Sequence, residues 1–226
     1  MFVNSEQDDF ETFAKGLSFY KLVWVFTLGS LIGTWYEEIL TFFTDGVYEN
    51  RSAVFVGPFN PLYGLAIVLA VLLLRRIESA PKAILAGALF FGAFEYAANM
   101  AQEFFTGSVS WNYAHKPLNI NERTTLPYAL YWGVLAYGIA VYLYPPFSKL
   151  IESVPRKTGI MITRVLIVFM SVNMLVTYSA LIRQGLRAEG VEPFTPVGEV
   201  YDDVFTDVYI EKKFPNMELL EGEGDE

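Results

Sequence analysis

The stretch TLPYALYWGVLAYGIAVYLYPPF, Thr125 to Phe147, decides the class of this chain. It carries no charged residue over 23 positions. Roughly 20 apolar residues in a helix, rising about 1.5 Å each, cross the hydrocarbon core of a bilayer. Lipid offers backbone amides no partner, so a crossing segment must satisfy its own hydrogen bonds, as a helix does.

Four further runs surround it. The first covers about 17–43 and is interrupted by Lys21, Glu37 and Glu38. The second, VFVGPFNPLYGLAIVLAVLLL from Val54 to Leu74, is free of charge but has two prolines in its first half. Helix is expected there from about Pro61, after re-entrant or interfacial backbone. The third runs from Ala83 to about Phe105 with Glu95 and Glu103 inside it, and the fifth from Ile160 to Ile182, with Arg164 placed to snorkel. Runs of this length argue against buried soluble helices and β-barrel strands. The expectation is an all-α, polytopic helical membrane protein with about five transmembrane helices, over 17–43, 60–74, 83–105, 125–145 and 160–182. A polar N-terminal segment, 1–16, precedes them. A polar C-terminal segment, 183–226, follows, and its acidic end ELLEGEGDE is expected to be disordered.

Composition narrows the function classes. There is no cysteine, which excludes disulfides, thiolate metal sites and cysteine nucleophiles. A single histidine argues against a His-rich zinc or iron site. The net charge of -9 argues against nucleic acid. The acidic opening MFVNSEQDDFETFAKG does not read as a cleavable signal peptide. No internal repeat gives an inverted-repeat transporter signature.

Basic residues set an expected direction. Lys15, Lys21, Arg75, Arg76, Lys82, Lys149, Arg156 and Lys157 fall on one side; the other side's two loops hold Arg51, Lys116 and Arg123. This places the N-terminus inside, in the plasma membrane, with Arg183, Arg187, Lys212 and Lys213 weighing the other way.

Polar residues gather on two helical faces at about 100° per residue. Thr27, Ser30, Thr34, Glu38 and Thr41 form one stripe, with Glu37 beside it; Glu95, Asn99 and Gln102 form another, with Glu103 on its flank. Carboxylates at membrane depth are costly, so such stripes face a partner helix or a wet cavity. Helix parity brings the ends carrying Glu37, Glu38 and Glu103, the opening GPFNPLYG, the loop WNYAHKPLNINER (Trp111–Arg123) and the tail FPNMELL to one side of the membrane. The loop is then a lid over the glutamates. Its working parts are Trp111, Tyr113, Pro117, Asn119 and Asn121, and His115 is a minor candidate. Small residues Gly87, Gly92, Gly133 and Gly138 are expected to pack helices.

The order Trp35-x-x-Glu38, GPFNPLYG, FEY, WNYAHKPLNINER and YWG, over roughly Thr27 to Gly138, resembles the membrane proteins called "putative ABC-transporter permeases" and a small eukaryotic transmembrane-protein branch. FPNM near the end is similar to that family's tail. The resemblance carries over to Glu38, Gly57, Pro58, Pro61, Tyr63, Gly64, Glu95, Glu103, Trp111, Tyr113, Pro117, Asn119 and Asn121. This chain departs from the family pattern in three places. Thr34 stands where the family has glycine, Glu122 where it has glycine in Asn-Gly, and Asn112 where it often has aspartate.

Three functions compete. The first is a membrane subunit of a transport system. With no G-x-x-x-x-G-K-[S/T] phosphate loop, its ATPase would be a separate polypeptide, met by the loop Pro145–Lys157, and a homo-oligomer would enlarge a small permease. The second is an intramembrane enzyme acting on a lipid or isoprenoid. Glu38, Glu95 and Glu103 would be its catalytic candidates, acting as acid and base or holding a hard divalent cation such as Mg²⁺. The third is a non-catalytic structural or regulatory membrane protein. The ligand-binding set expected in the first two is Trp35, Glu38, Pro58, Asn60, Tyr63, Glu95, Asn99, Trp111, Tyr113, Asn119, Asn121 and Arg123.

Overall fold

A computed structural model describes residues 12–220. Its main elements are α1 (Phe19–Asp45), α2 (Pro61–Leu74), α3 (Ala80–Thr106), α4 (Leu126–Gly138), α5 (Tyr144–Glu152) and α6 (Arg156–Ala188). Two short helices follow, α7 (Pro196–Val204) and α8 (Asp207–Lys213). Each starts and stops where local chemistry dictates. Ser18, Asn60 and Thr125 accept backbone N–H groups as N-caps, and Pro61 and Pro127 occupy first-turn positions that need no donor. Gly46 and Gly107 close α1 and α3 at positive φ, a conformation that disfavours a Cβ.

Among the described residues three helices are long and apolar enough to cross a membrane: Ala80–Thr106, Leu126–Glu152 and Arg156–Ala188. The all-α membrane class stands. α2 has 14 residues, about 21 Å against a core of about 30 Å.

Pro145 and Pro146 do not end the fourth helical run. Proline lacks the N–H that reaches back four residues, and its ring crowds that carbonyl. Here Ile139–Leu143 widens into a π-helix, with Tyr144 N–H donating to Ile139 O, and helix resumes to Glu152. Only residues 153–155 connect to α6. The expected loop Pro145–Lys157 is therefore mostly helix, because the wider turn absorbs the prolines.

In lipid, close packing by small residues replaces hydrophobic drive between helices. A Cβ on Gly133 would lie 2.4 Å from Ile84 O, and one on Gly64 would lie 2.4 Å from Phe26 O. These glycines let α4 approach α3 and α2 approach α1. Gly138 differs from expectation: a Cβ there would meet open space.

The two ends of the bundle are chemically unlike. At one end Lys21, fully buried, donates to Ser148 O at 3.0 Å, Ser148 Oγ at 2.5 Å and Glu152 Oε1 at 2.6 Å. Phe13 and Ala14 pack there against Val25 and Ile151, so the described part of the polar N-terminal segment buries apolar side chains. At the other end the connections 46–60 and 107–125 meet the C-terminal arm. Strand β1 (Ser108–Val109) pairs antiparallel with β4 (Glu218–Leu219), Asn50 Nδ2 donates to Lys213 O at 2.7 Å, and Phe55 stacks on Phe205 at 4.6 Å. Of the acidic tail, Glu218 and Leu219 are thus ordered by pairing. Residues 221–226 lie outside the described residues.

Candidate functional site

The loop Trp111–Arg123 folds into a small hairpin. Strand β2 (Asn119–Ile120) pairs with β3 (Thr124–Thr125), and Tyr113 N–H donates to Glu122 O at 2.7 Å. Leu118, Asn121 and Glu122 take positive φ to make the tight turns. The hairpin hangs on one face of α3. Glu95 accepts from the Tyr113 hydroxyl at 3.0 Å and the Thr124 hydroxyl at 2.6 Å. Asn99 donates to Trp111 O at 2.8 Å and accepts from Arg123 Nη1 at 2.6 Å. Arg123 pairs with Glu103, Trp111 Nε1 donates to Arg123 O at 2.9 Å, and Asn121 Nδ2 donates to the Tyr96 hydroxyl at 3.0 Å. Burial, and next the Glu95 charge, push the Tyr113 hydroxyl far above its ordinary pKa, so it serves as a neutral donor.

A second carboxylate–tyrosine pair lies between α1 and α2, where the Tyr63 hydroxyl donates to Glu37. Arg51 approaches Glu37 at 3.8 Å and Glu49 at 2.6 Å. Glu37 is approached by Arg51 of the 46–60 connection, and Glu95 is held by Tyr113 and Thr124 of the hairpin. Three helices and the hairpin thus supply two carboxylate–phenol pairs. Such a set can exchange protons or bind a group rich in hydroxyl or ammonium donors.

Several expected residues have other partners. Glu38, buried, accepts Arg51 N–H at 3.3 Å. It also borders an apolar lateral groove of about 270 Å³ with Trp35, Ile39, Phe42, Phe43 and Tyr48. Asn60 caps α2 and donates to Arg51 O at 3.4 Å, and the half-buried Pro58 lies in the same 52–60 stretch. Asn119 stays within the hairpin, donating to Lys116 O at 2.9 Å. His115 borders a polar groove of about 290 Å³ that Trp111, Asn112, Asn216 and Glu218 share. In α1, Thr27, Ser30 and Thr34 return their hydroxyls to the carbonyls of Val23, Phe26 and Ser30. Part of that stripe is therefore satisfied within its own helix. Among the described residues no group of three or more His, Asp or Glu side chains is placed to hold a metal ion.

Sequence reading passed over Asn173 and Thr177. Both are buried on α6 and satisfy the non-helical backbone before α2. Asn173 accepts from Val56 N at 3.1 Å and donates to Val56 O at 2.8 Å, and Thr177 Oγ1 accepts from Phe55 N at 3.0 Å. Their spacing of four in an apolar run was the available signal. Thr124 and Arg51 were missed too; neither stands out in a loop.

No curated protein and no solved structure matches the chain. A family model described as "Putative ABC-transporter type IV" matches residues 24–178, which take in most of α1, all of α2 to α5 and most of α6. The chain belongs to that family, and with its long apolar helices it is an integral membrane protein of transport-associated type.

Proposed function

We propose that the protein is the membrane subunit of a transport system in the plasma membrane, working with a separate ATPase subunit. In this reading five helices cross the bilayer with the N-terminus inside, and the glutamate–tyrosine pairs handle the transported species. The observation that carries it is the presence of two carboxylate–tyrosine pairs, Glu37–Tyr63 between α1 and α2 and Glu95–Tyr113 between α3 and the hairpin. A buried carboxylate with neutral partners, as Glu95 is, costs stability, and a family of transport type gives that cost a use. The direction rests on Lys15, Lys21, Lys149, Arg156 and Lys157 at one end. The test is affinity purification of the intact protein alongside solute-flux profiling of a deletion strain. Recovery of a nucleotide-binding subunit and an altered flux are expected. Neither partner nor flux change would overturn the reading.

One observation favours the second reading, an intramembrane enzyme on a lipid or isoprenoid. The apolar lateral groove at Trp35, Phe42 and Phe43 ends on the buried carboxylate of Glu38. Lipid profiles of a Glu38→Gln strain that follow the deletion strain, with flux unchanged, would select it.

A further inference from the structure

Helix α7 is amphipathic with its faces reversed. At about 100° per residue, Val197, Val200 and Val204 share one side, and Glu199, Asp202 and Asp203 share the other. Asp202, on the acidic side, is the residue that meets the protein. Asp202 receives Arg183 Nε at 2.8 Å and Nη2 at 2.7 Å, and Arg187 Nη1 at 2.6 Å, all from α6. The valine side points away, with Val197 65%, Val200 56% and Val204 56% exposed, and the flanking Phe194 84% and Val208 75%. A cap on a water-facing surface would turn its valines inward, because burying three of them gains several kcal/mol. Here the chain anchors the helix by its charges and leaves the apolar face outside.

We infer that α7, with Phe194 and Val208 at its ends, lies in the lipid interface as a monotopic anchor of the C-terminal arm, its valines in the acyl boundary. The lipid surface is the occupant because the face continues an apolar flank. At about 100° per residue, Arg183 and Arg187, which hold α7, lie on the same side of α6 as Val165, Val168 and Val172, which are exposed on this transmembrane-length helix. The neighbouring charges choose the headgroup. Glu199 and Asp203 are exposed on the other side of the helix, and α7 has no lysine or arginine, so anionic lipid adds no attraction. The contact is with zwitterionic lipid and is driven by apolar area.

The chain has no cysteine, so single cysteines can be placed without background. Val200→Cys, Val204→Cys and Glu199→Cys variants of the full protein, in phosphatidylcholine nanodiscs, are labelled with an environment-sensitive fluorophore. Doxyl-lipid should quench labels at 200 and 204 several-fold more than at 199, and aqueous iodide should do the reverse. Adding phosphatidylglycerol should not increase the lipid quenching. Equal iodide quenching at all three positions would overturn the inference, as would cross-linking between copies through position 200 with no lipid quenching. Neither result bears on the transport reading.

Discussion

Glu122 occupies a left-handed position, φ 62°, within the hairpin. The family pattern places glycine there, which adopts that conformation freely, whereas a Cβ costs roughly 1 kcal/mol. The family also often has aspartate at position 112, where this chain has Asn112. The two departures touch: Asn112 Nδ2 donates to Glu122 Oε2 at 3.2 Å, and an aspartate would repel that carboxylate. Asn112→Asp alone should therefore lower thermal stability by about 0.5 kcal/mol, and cost almost nothing in a Glu122→Gly background. Equal costs in both backgrounds would refute the coupling. Glycine packing gives a second matched pair. Gly133→Ala drives a Cβ against the Ile84 carbonyl and should cost about 1–3 kcal/mol, whereas Gly138→Ala should fall within about 0.5 kcal/mol, both read by unfolding in detergent. The sequence marked Glu37 and Glu38 as neighbours at a helix end. It could not tell which one meets Tyr63, because adjacent positions differ by only about 100° and the choice depends on the facing helix.

The runs read from apolar length lie within or beside helices, since a long apolar segment has few other ways to satisfy its backbone. What a run length could not convey was how non-helical pieces are tolerated. The Pro-Pro pair passes through a π-helix, and the stretch before Pro61 is satisfied from across the bundle by Asn173 and Thr177. Asn173→Leu should leave the Val56 N–H and carbonyl without their partner and cost about 1–3 kcal/mol per orphaned group, measured as a lower unfolding temperature. The C-terminal arm has a pH signature. The Arg183 hydrogen bonds to Asp202, reinforced by Arg187, hold its carboxyl below the ordinary value of 3.8. A carboxyl depressed on folding stabilises fully above its unfolded pKa and loses that contribution as pH falls through the folded one. The arm should thus stay docked above about pH 5 and loosen below about pH 3.8, seen as rising iodide access to a label at position 200. Asp202→Asn should weaken docking at neutral pH and reduce the acid dependence to that of the Asp207–Arg187 pair.

At the scale of the molecule, the protein has one plain end, tied by buried Lys21 to Glu152, and one elaborate end. The elaborate end joins the non-helical stretch before α2, the hairpin and the C-terminal arm. Helix parity in the sequence already gathered these segments. The pairs Glu37–Tyr63 and Glu95–Tyr113 needed coordinates, because they join four separate pieces of chain. The most direct measurement compares solute flux in deletion cells complemented with wild-type protein, Glu37→Gln or Glu95→Gln, with membrane insertion and unfolding temperature followed in parallel. The account predicts variants that insert and melt close to wild type yet leave flux at the deletion level. Wild-type flux from both variants would contradict it.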